Sequence, residues 1–204
     1  MLLNANSVNP TKDYEKPIWF LDIDGVVNAL PRNGKGNRDE FDKTDVVVFD
    51  QDTGIPTVYP IHYRPNVVEF INRVHRQGLA EIQWLTTWGR SASMFAHAVG
   101  IDLFGHTMAP PGTWWHVPAP FGSPEYVCWR PDWWKLQVIR DTPNIANRKF
   151  VFTDDDLGRE VRAIIRTEVA PKENSLLITP HPTYGLNNQM LRLIDGFLTN
   201  KGAM

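Results

Sequence analysis

The most constraining feature of the sequence is a run of four apolar residues, Ile18–Leu21, that is closed by an acidic turn. The run lacks the apolar–polar alternation of a strand that has one face in water. A strand of this kind is buried on both faces, as strands in parallel sheets are. The run therefore predicts a sheet that is covered by helices on both sides.

Short apolar runs alternate with segments of helical periodicity over the rest of the chain. After Pro65, the residues Val67, Val68, Ile71 and Val74 lie on one helical face, and Gly78 ends the pattern. Further strands are predicted at 81–86, 149–153 and 175–179, and further helices at 91–99, 131–141, 157–165 and 187–198. We predict an α/β fold: a three-layer Rossmann-like domain with a mainly parallel sheet.

Changes in composition predict the organisation of the chain. Residues 1–16 are polar and aperiodic, which indicates a flexible N-terminal arm before a single domain of residues 17–204. Within that domain, residues 29–64 read as an insert that carries a small β-hairpin flap. The proline-, glycine- and tryptophan-rich stretch 105–130 predicts a loop with at most a short strand at 106–110.

Composition and charge exclude several classes of protein. With 42% hydrophobic residues and a net charge of −2, the chain is neither disordered nor broadly basic. Its one cysteine, Cys128, excludes an internal disulfide and a cysteine metal cluster. There is no apolar run of the roughly 20 residues that a membrane span needs, and no signal-peptide core at the start. We expect a cytoplasmic protein with no membrane partner.

Polar residues directly follow three of the predicted core strands. They are Asp22 and Asp24 after Ile18–Leu21, Thr86 and Thr87 at the end of the strand at 81–86, and Asp154, Asp155 and Asp156 after the strand at 149–153. Lys135 lies in the first turn of the helix before the strand at 149–153. Since the carboxyl ends of parallel strands meet at one edge of a sheet, we expect these side chains to share one crevice. Clustered carboxylates repel one another unless a cation neutralises them, and Mg²⁺ is the natural candidate. Such a site suits phosphoryl transfer.

These residues carry a resemblance to the haloacid dehalogenase (HAD) superfamily. LDIDGVVN resembles its first motif, WLTT its second, Lys135 its third and FVFTDDD its fourth, in the same order. The resemblance spans residues 17–198. Within the superfamily, the chain is similar to small HAD-like phosphatase domains of bacteria and phages, including those in RNA-repair proteins.

The resemblance implies a role for each catalytic candidate. Asp22 would attack phosphorus and Asp24 would act as general acid and base. Thr86 would bind a phosphate oxygen, with Thr87 as the alternative. Lys135 would offset negative charge, with Arg130 as its rival.

The resemblance also implies the metal ligands, which are Asp22, Asp24, Asp154 and Asp155. Asp156 is the alternative to Asp155. Gly25 would permit the tight backbone turn after the nucleophile.

The function that follows is that of a hydrolase: an Mg²⁺-dependent phosphatase that forms an aspartyl-phosphate and cleaves a phosphomonoester. A small molecule, a nucleotide or a polynucleotide end is the expected substrate. Five clustered tryptophans either fill the core or stack on a base: Trp114, Trp115, Trp129, Trp133 and Trp134. The alternative function is a non-catalytic interaction protein on a HAD-like fold.

Overall fold

The computed structural model describes residues 16–30, 40–49, 54–102, 107–108 and 133–199. Its strands are β1 (Ile18–Leu21), β2 (Asp42–Phe49), β3 (Pro56–Tyr63), β4 (Glu81–Leu85), β5 (Thr107–Met108), β6 (Phe150–Thr153) and β7 (Ser175–Ile178). Its helices are α1 (Pro65–Arg76), α2 (Ala92–Val99), α3 (Trp134–Asp141), α4 (Arg159–Ile164) and α5 (Asn188–Leu198). A 3-10 turn, Gly89–Ser91, precedes α2, and a π-helical turn, Ile165–Val169, extends α4.

Some predicted features lie outside the described residues. They are most of the arm 1–16, nearly all of the loop 105–130, Cys128, Trp114, Trp115, Trp129 and Arg130. The division into an arm and one domain of residues 17–204 stays a prediction.

The main sheet has five strands in the order β5-β4-β1-β6-β7, and every pairing in it is parallel. The central strand, β1, pairs with β4 on one side and β6 on the other, so that Leu21 is level with both Trp84 and Thr153. The predicted parallel sheet is confirmed, and its centre is the strand that the apolar run predicted.

Alternate residues of β1 belong to two different cores. Trp19 and Leu21 pack in a core with α1, α2 and α5, whereas Ile18 and Phe20 pack in a second core with α3 and α4. All four side chains are fully buried. Helices therefore cover both faces of the sheet in a Rossmann-like α/β arrangement, which explains why this strand has no polar position.

The predicted hairpin is present between β1 and α1. Strands β2 and β3 are antiparallel and pair from Asp42↔Tyr63 to Phe49↔Pro56. Buried Val46 and Ile61 pack into the core that holds α1 and α2. The hairpin is thus anchored to the domain, while its role as a flap over a site stays a prediction.

Two predicted helices begin later than their sequence patterns indicated. Helix α3 begins at Trp134, because the backbone of Trp133 is not helical, with ψ of 120°, and its ring packs on Phe152 with the ring centroids 5.9 Å apart. Helix α4 begins at Arg159, so that Leu157 is buried in the turn before the helix. Burial of a side chain does not require that its backbone be helical.

Among the described residues, none of the helices has both the length and the apolar character needed to cross a bilayer.

Candidate functional site

The register of the sheet brings two aspartates together. Asp22 directly follows β1 and Asp154 directly follows β6, and these neighbouring strands pair Leu21 with Thr153. The N–H of Asp22 donates to the carbonyl oxygen of Thr153 at 3.1 Å, so the pairing continues one residue past the strand ends. The two side chains consequently lie at the same edge of the sheet, as the sequence predicted.

Lys135 joins these two carboxylates. Its Nζ atom donates to Oδ2 of Asp22 at 2.6 Å and to Oδ2 of Asp154 at 2.5 Å. All three residues are buried, and Asp154 has no exposed surface. The lysine enters from the first turn of α3, where the rings of Trp133 and Trp134 each lie 5.7 Å from Nζ. Lys135, which the sequence predicted to share a crevice with these aspartates, therefore meets both carboxylates.

Main-chain donors fix the remaining carboxylate oxygens. Oδ1 of Asp22 accepts from the N–H of Ile23 at 2.7 Å, and Oδ1 of Asp154 accepts from the N–H of Asp156 at 2.9 Å. Each carboxylate is thus held at both oxygens. This leaves the two groups little freedom to rotate.

A third aspartate completes a set of oxygens that fits a cation. One carboxylate oxygen from each of Asp22, Asp154 and Asp155 lies within 4.8 Å of the others. Hard divalent cations such as Mg²⁺ prefer oxygen ligands of this type. Asp156, the alternative ligand, is not in that set and supports Asp154 through its backbone. The donor chemistry of the three aspartates therefore fits Mg²⁺.

The side chain of Asp24 lies apart from these three. Its Oδ1 accepts from Nδ2 of Asn28 at 2.7 Å and its Oδ2 accepts from Nε1 of Trp88 at 2.8 Å. Both oxygens are thus engaged by residues outside the acidic cluster. The carboxylate of Asp24 does not join the set that fits a metal ion, so its predicted role as a ligand gains no support from its side chain.

Burial is the largest single influence on the pKa values of Lys135, Asp154 and Asp155. Burial raises the pKa of Asp154 well above its ordinary value, an effect that Lys135 opposes and Asp22 reinforces. Burial alone would lower the pKa of Lys135, but Asp154 and Asp22 raise it overall, so the lysine stays protonated. Burial, and then the charges of Asp156 and Asp22, raise the pKa of Asp155 to about 7. The cluster therefore contains more carboxylate than one lysine neutralises, and it favours uptake of a proton or a metal cation.

The raised pKa of Asp155 predicts how the stability of the metal-free protein depends on pH. An unfolded aspartate has a pKa of about 3.9, so the folded state holds this proton more tightly between about pH 4 and 7. The resulting stabilisation is complete below the unfolded pKa and is lost as the pH rises through the folded value. In EDTA, we expect Tm to fall between about pH 5 and 7.5 more steeply for wild type than for Asp155→Asn, measured by calorimetry.

Magnesium gives an independent check of that expectation. Added Mg²⁺ should raise Tm more at the upper pH, where Asp155 is ionised, than at the lower pH. If Tm falls equally with pH in wild type and in Asp155→Asn, the raised pKa of Asp155 is wrong.

Gly25 provides the space in which Asp155 lies. Its φ is +68°, and a Cβ atom built on it would lie 2.2 Å from Cγ of Asp155. A side chain at this position would therefore displace the aspartate. Glycine is needed here both for its backbone conformation and for this close approach.

The substitution Gly25→Ala should consequently weaken both the fold and the metal site. Gly54 is a matched control, because its φ is also +68° but nothing lies within 4 Å of a Cβ built there. We expect Gly25→Ala to lose about 1–3 kcal/mol more than Gly54→Ala in urea unfolding, the usual cost of overpacking. Stabilisation by Mg²⁺ should also be reduced in Gly25→Ala alone. If Gly25→Ala and Gly54→Ala lose the same stability and respond equally to Mg²⁺, the need for glycine at position 25 comes from its backbone conformation and not from the contact with Asp155.

The structure distinguishes the two threonines after β4. Thr86 is fully buried, and its Oγ1 lies 3.4 Å from the backbone nitrogen of Trp88, whereas Thr87 is exposed. Thr86 lies one strand away from Asp22, since Leu21 pairs with Trp84. Its contact with phosphate stays a prediction.

Sequence reasoning missed the roles of Asn28 and Trp88. Asn28 closes the LDIDGVVN segment, and Trp88 directly follows the two threonines, so both lie beside motifs that the sequence identified. Their proximity in sequence to the strand ends was the available signal. Both side chains contact Asp24. Asn28 does so from the adjacent turn, whereas Trp88 does so from a loop that is 64 residues away from Asp24 in sequence.

Comparison with known proteins gives no relative for this chain. It matches no protein-family model, no curated protein and no solved structure.

Proposed function

We propose that this chain is an Mg²⁺-dependent phosphatase of the HAD superfamily that forms an aspartyl-phosphate on Asp22. The observation that carries the proposal is the buried bridge of Lys135 between Asp22 and Asp154, with the separate carboxyl group of Asp24 nearby in sequence. A structural ion pair needs one carboxylate for one lysine. Here three clustered aspartates are accompanied by one lysine, Lys135, which contacts two of them. This arrangement is electrostatically costly without a ligand.

The first chemical step uses Asp22 as the nucleophile. A carboxylate oxygen of Asp22 forms a bond to phosphorus while the bond from phosphorus to the leaving oxygen breaks, which transfers the phosphoryl group to Asp22. Lys135 and the N–H of Ile23 hold the carboxylate at opposite oxygens. This fixed orientation favours the in-line geometry that phosphoryl transfer needs.

Asp24 handles the proton in both steps. It gives a proton to the leaving oxygen in the first step, and in the second it takes one from the water that attacks the aspartyl-phosphate. The bond between phosphorus and Asp22 then breaks, which releases inorganic phosphate and restores the carboxylate. Burial raises the pKa of Asp24, although hydrogen bonds from Asn28 and Trp88 oppose the rise, and this favours a protonated acid.

Asp22, Asp154 and Asp155 are the side chains that would hold the metal ion. When bound, Mg²⁺ supplies positive charge that lowers repulsion between the phosphate and these aspartates. Buried Thr86 is proposed to donate to a phosphate oxygen.

The proposed substrate class is a phosphomonoester, either a small molecule or the end of a nucleic acid. Stacking of a base on Trp133 or Trp134 has no support, because both rings are buried in the core that contains α3. The other three tryptophans of the predicted cluster lie outside the described residues.

The proposal is tested by measuring phosphate release from para-nitrophenyl phosphate, and from a panel of nucleotide, oligonucleotide and sugar phosphates, with Mg²⁺ or with EDTA. We expect turnover that requires Mg²⁺ and stops in EDTA while the circular dichroism spectrum remains folded. Folded protein that releases phosphate from none of these substrates would favour the non-catalytic alternative.

A further inference from the structure

Both donors to Asp24 are tied to the β2–β3 hairpin. The two hydrogen bonds come from Asn28, in the turn after β1, and from Trp88, in the loop after β4. Each of these residues also contacts β3. Two separate links thus connect the hairpin to the same carboxyl group.

The first link passes through the amide group of Asn28. Its Oδ1 accepts from the backbone N–H of His62 at 3.0 Å, and the N–H of Ala29 donates to the carbonyl oxygen of His62 at 2.7 Å. Because a backbone N–H can only donate, the amide oxygen must face His62, and the amide nitrogen is left to face Asp24. Asn28 is 3% exposed, so this orientation is fixed within the protein.

The second link passes through the indole ring of Trp88. The ring packs against Tyr59 of β3 at 5.3 Å and against Phe95 of α2 at 5.6 Å. Its Nε1–H, which can only donate, points to Oδ2 of Asp24 at 2.8 Å. The hairpin and α2 together therefore set where this donor lies.

We infer that Asn28 and Trp88 are positioning residues that hold Asp24 as the general acid and base, and that the hairpin holds them in place. One N–H at each oxygen fixes the plane of the carboxyl group and leaves a further lone pair on each oxygen for the proton that is transferred. The hairpin is then a part of the catalytic apparatus. This inference rests on the proposed phosphatase function.

A positioned general acid has a kinetic signature that a structural role does not share. The leaving oxygen of benzyl phosphate is strongly basic and needs a proton, whereas that of para-nitrophenyl phosphate is stable as an anion. The value of kcat/KM covers the steps up to departure of the leaving group, so loss of the acid should lower it mainly for benzyl phosphate. Dephosphorylation of Asp22 is common to both substrates and affects kcat.

The experiment compares Trp88→Phe and Asn28→Ala with wild type on these two substrates. Trp88→Phe keeps an aromatic ring between Tyr59 and Phe95 but lacks the N–H donor. We expect each variant to lower kcat/KM for benzyl phosphate roughly 10- to 100-fold, which is a part of the 10²- to 10⁴-fold effect of a positioned acid. For para-nitrophenyl phosphate, kcat/KM should fall less than about 3-fold. For para-nitrophenyl phosphate, kcat and KM should fall by similar factors, because Asp24 also activates the water that attacks the aspartyl-phosphate.

Three further variants complete the design. Asp24→Asn, which removes the acid itself, should show the largest difference between the two substrates in the loss of kcat/KM. Trp84→Phe changes a buried tryptophan that packs on Phe95 at 6.1 Å, and it should leave the ratio of the two kcat/KM values unchanged. Tyr59→Ala, in the hairpin itself, should shift that ratio in the direction of Trp88→Phe.

The outcomes separate this inference from the function on which it rests. If Asn28→Ala and Trp88→Phe, folded by circular dichroism, lose activity equally on both substrates, the positioning role is wrong while the phosphatase remains. If wild type releases phosphate from neither substrate nor from the wider panel, the proposed function itself is wrong.

Discussion

On the proposed mechanism, replacing Asp22 by asparagine should lower phosphate release by a factor on the order of 10⁴ to 10⁶, which is the largest effect that we expect and is comparable to the loss of other covalent nucleophiles. An amide has no anionic oxygen with which to attack phosphorus. The fold should persist, because asparagine has nearly the same shape and Lys135 keeps its contact with Asp154. The measurement is kcat on para-nitrophenyl phosphate, with circular dichroism and urea unfolding as checks of the fold.

A matched control for this substitution is available on α5. Asp195 pairs with Arg73 at 2.8 Å, outside the acidic cluster, and Asp195→Asn removes one carboxylate in the same way. Its kcat should stay within about 2-fold of wild type, because surface ion pairs contribute little. Full turnover by Asp22→Asn, with mass spectrometry excluding deamidation, would show that Asp22 is not the nucleophile.

The second large effect is on stability, and it does not depend on the enzymatic proposal. Lys135→Met leaves Asp22 and Asp154 buried beside each other without the cation that both contact. Removing one partner from a buried ionic group costs about 3–5 kcal/mol. We expect a loss of that size in the free energy of unfolding, measured with urea in EDTA, and partial recovery when Mg²⁺ is added.

Two further variants isolate the electrostatic cause. Lys149→Met removes a lysine that lies over the ring of Phe197, and it should cost no more than about 1 kcal/mol. The double variant Lys135→Met/Asp154→Asn should regain much of the lost stability, because it also removes one of the unpaired carboxylates. If Lys135→Met loses less than about 1 kcal/mol in the free energy of unfolding, the expected cost is wrong, because the carboxylates then take up protons in place of the charge of the lysine.

The sequence predicted the centre of the fold because the relevant information is local. Four apolar residues in Ile18–Leu21 are sufficient to indicate a strand buried on two faces, and parallel pairing then places Asp22 and Asp154 at one edge. Neither inference depends on the exact register. The same reasoning correctly located a hairpin before α1.

What the sequence did not predict depends on contacts between distant segments. The direction of the Asp24 side chain is set by Trp88, whose position depends in turn on Tyr59 and Phe95. The start of α3 is set by the packing of Trp133 on Phe152. Periodicity within one segment contains no information about either contact, so a motif identified Asp24 but not the surroundings that orient it.

The bridge made by Lys135 links the site to the order in which the chain assembles. Lys135 and Asp22 are 113 residues apart in sequence, and Asp154 belongs to a third segment, so no local piece of the chain contains the cluster. The three meet only when β1 has paired with β6 and α3 has docked over that pair. If the three aspartates hold Mg²⁺ as proposed, Mg²⁺ binding during refolding should report completion of the central sheet, and a truncated chain that retains α3 but not β1 should lack the site.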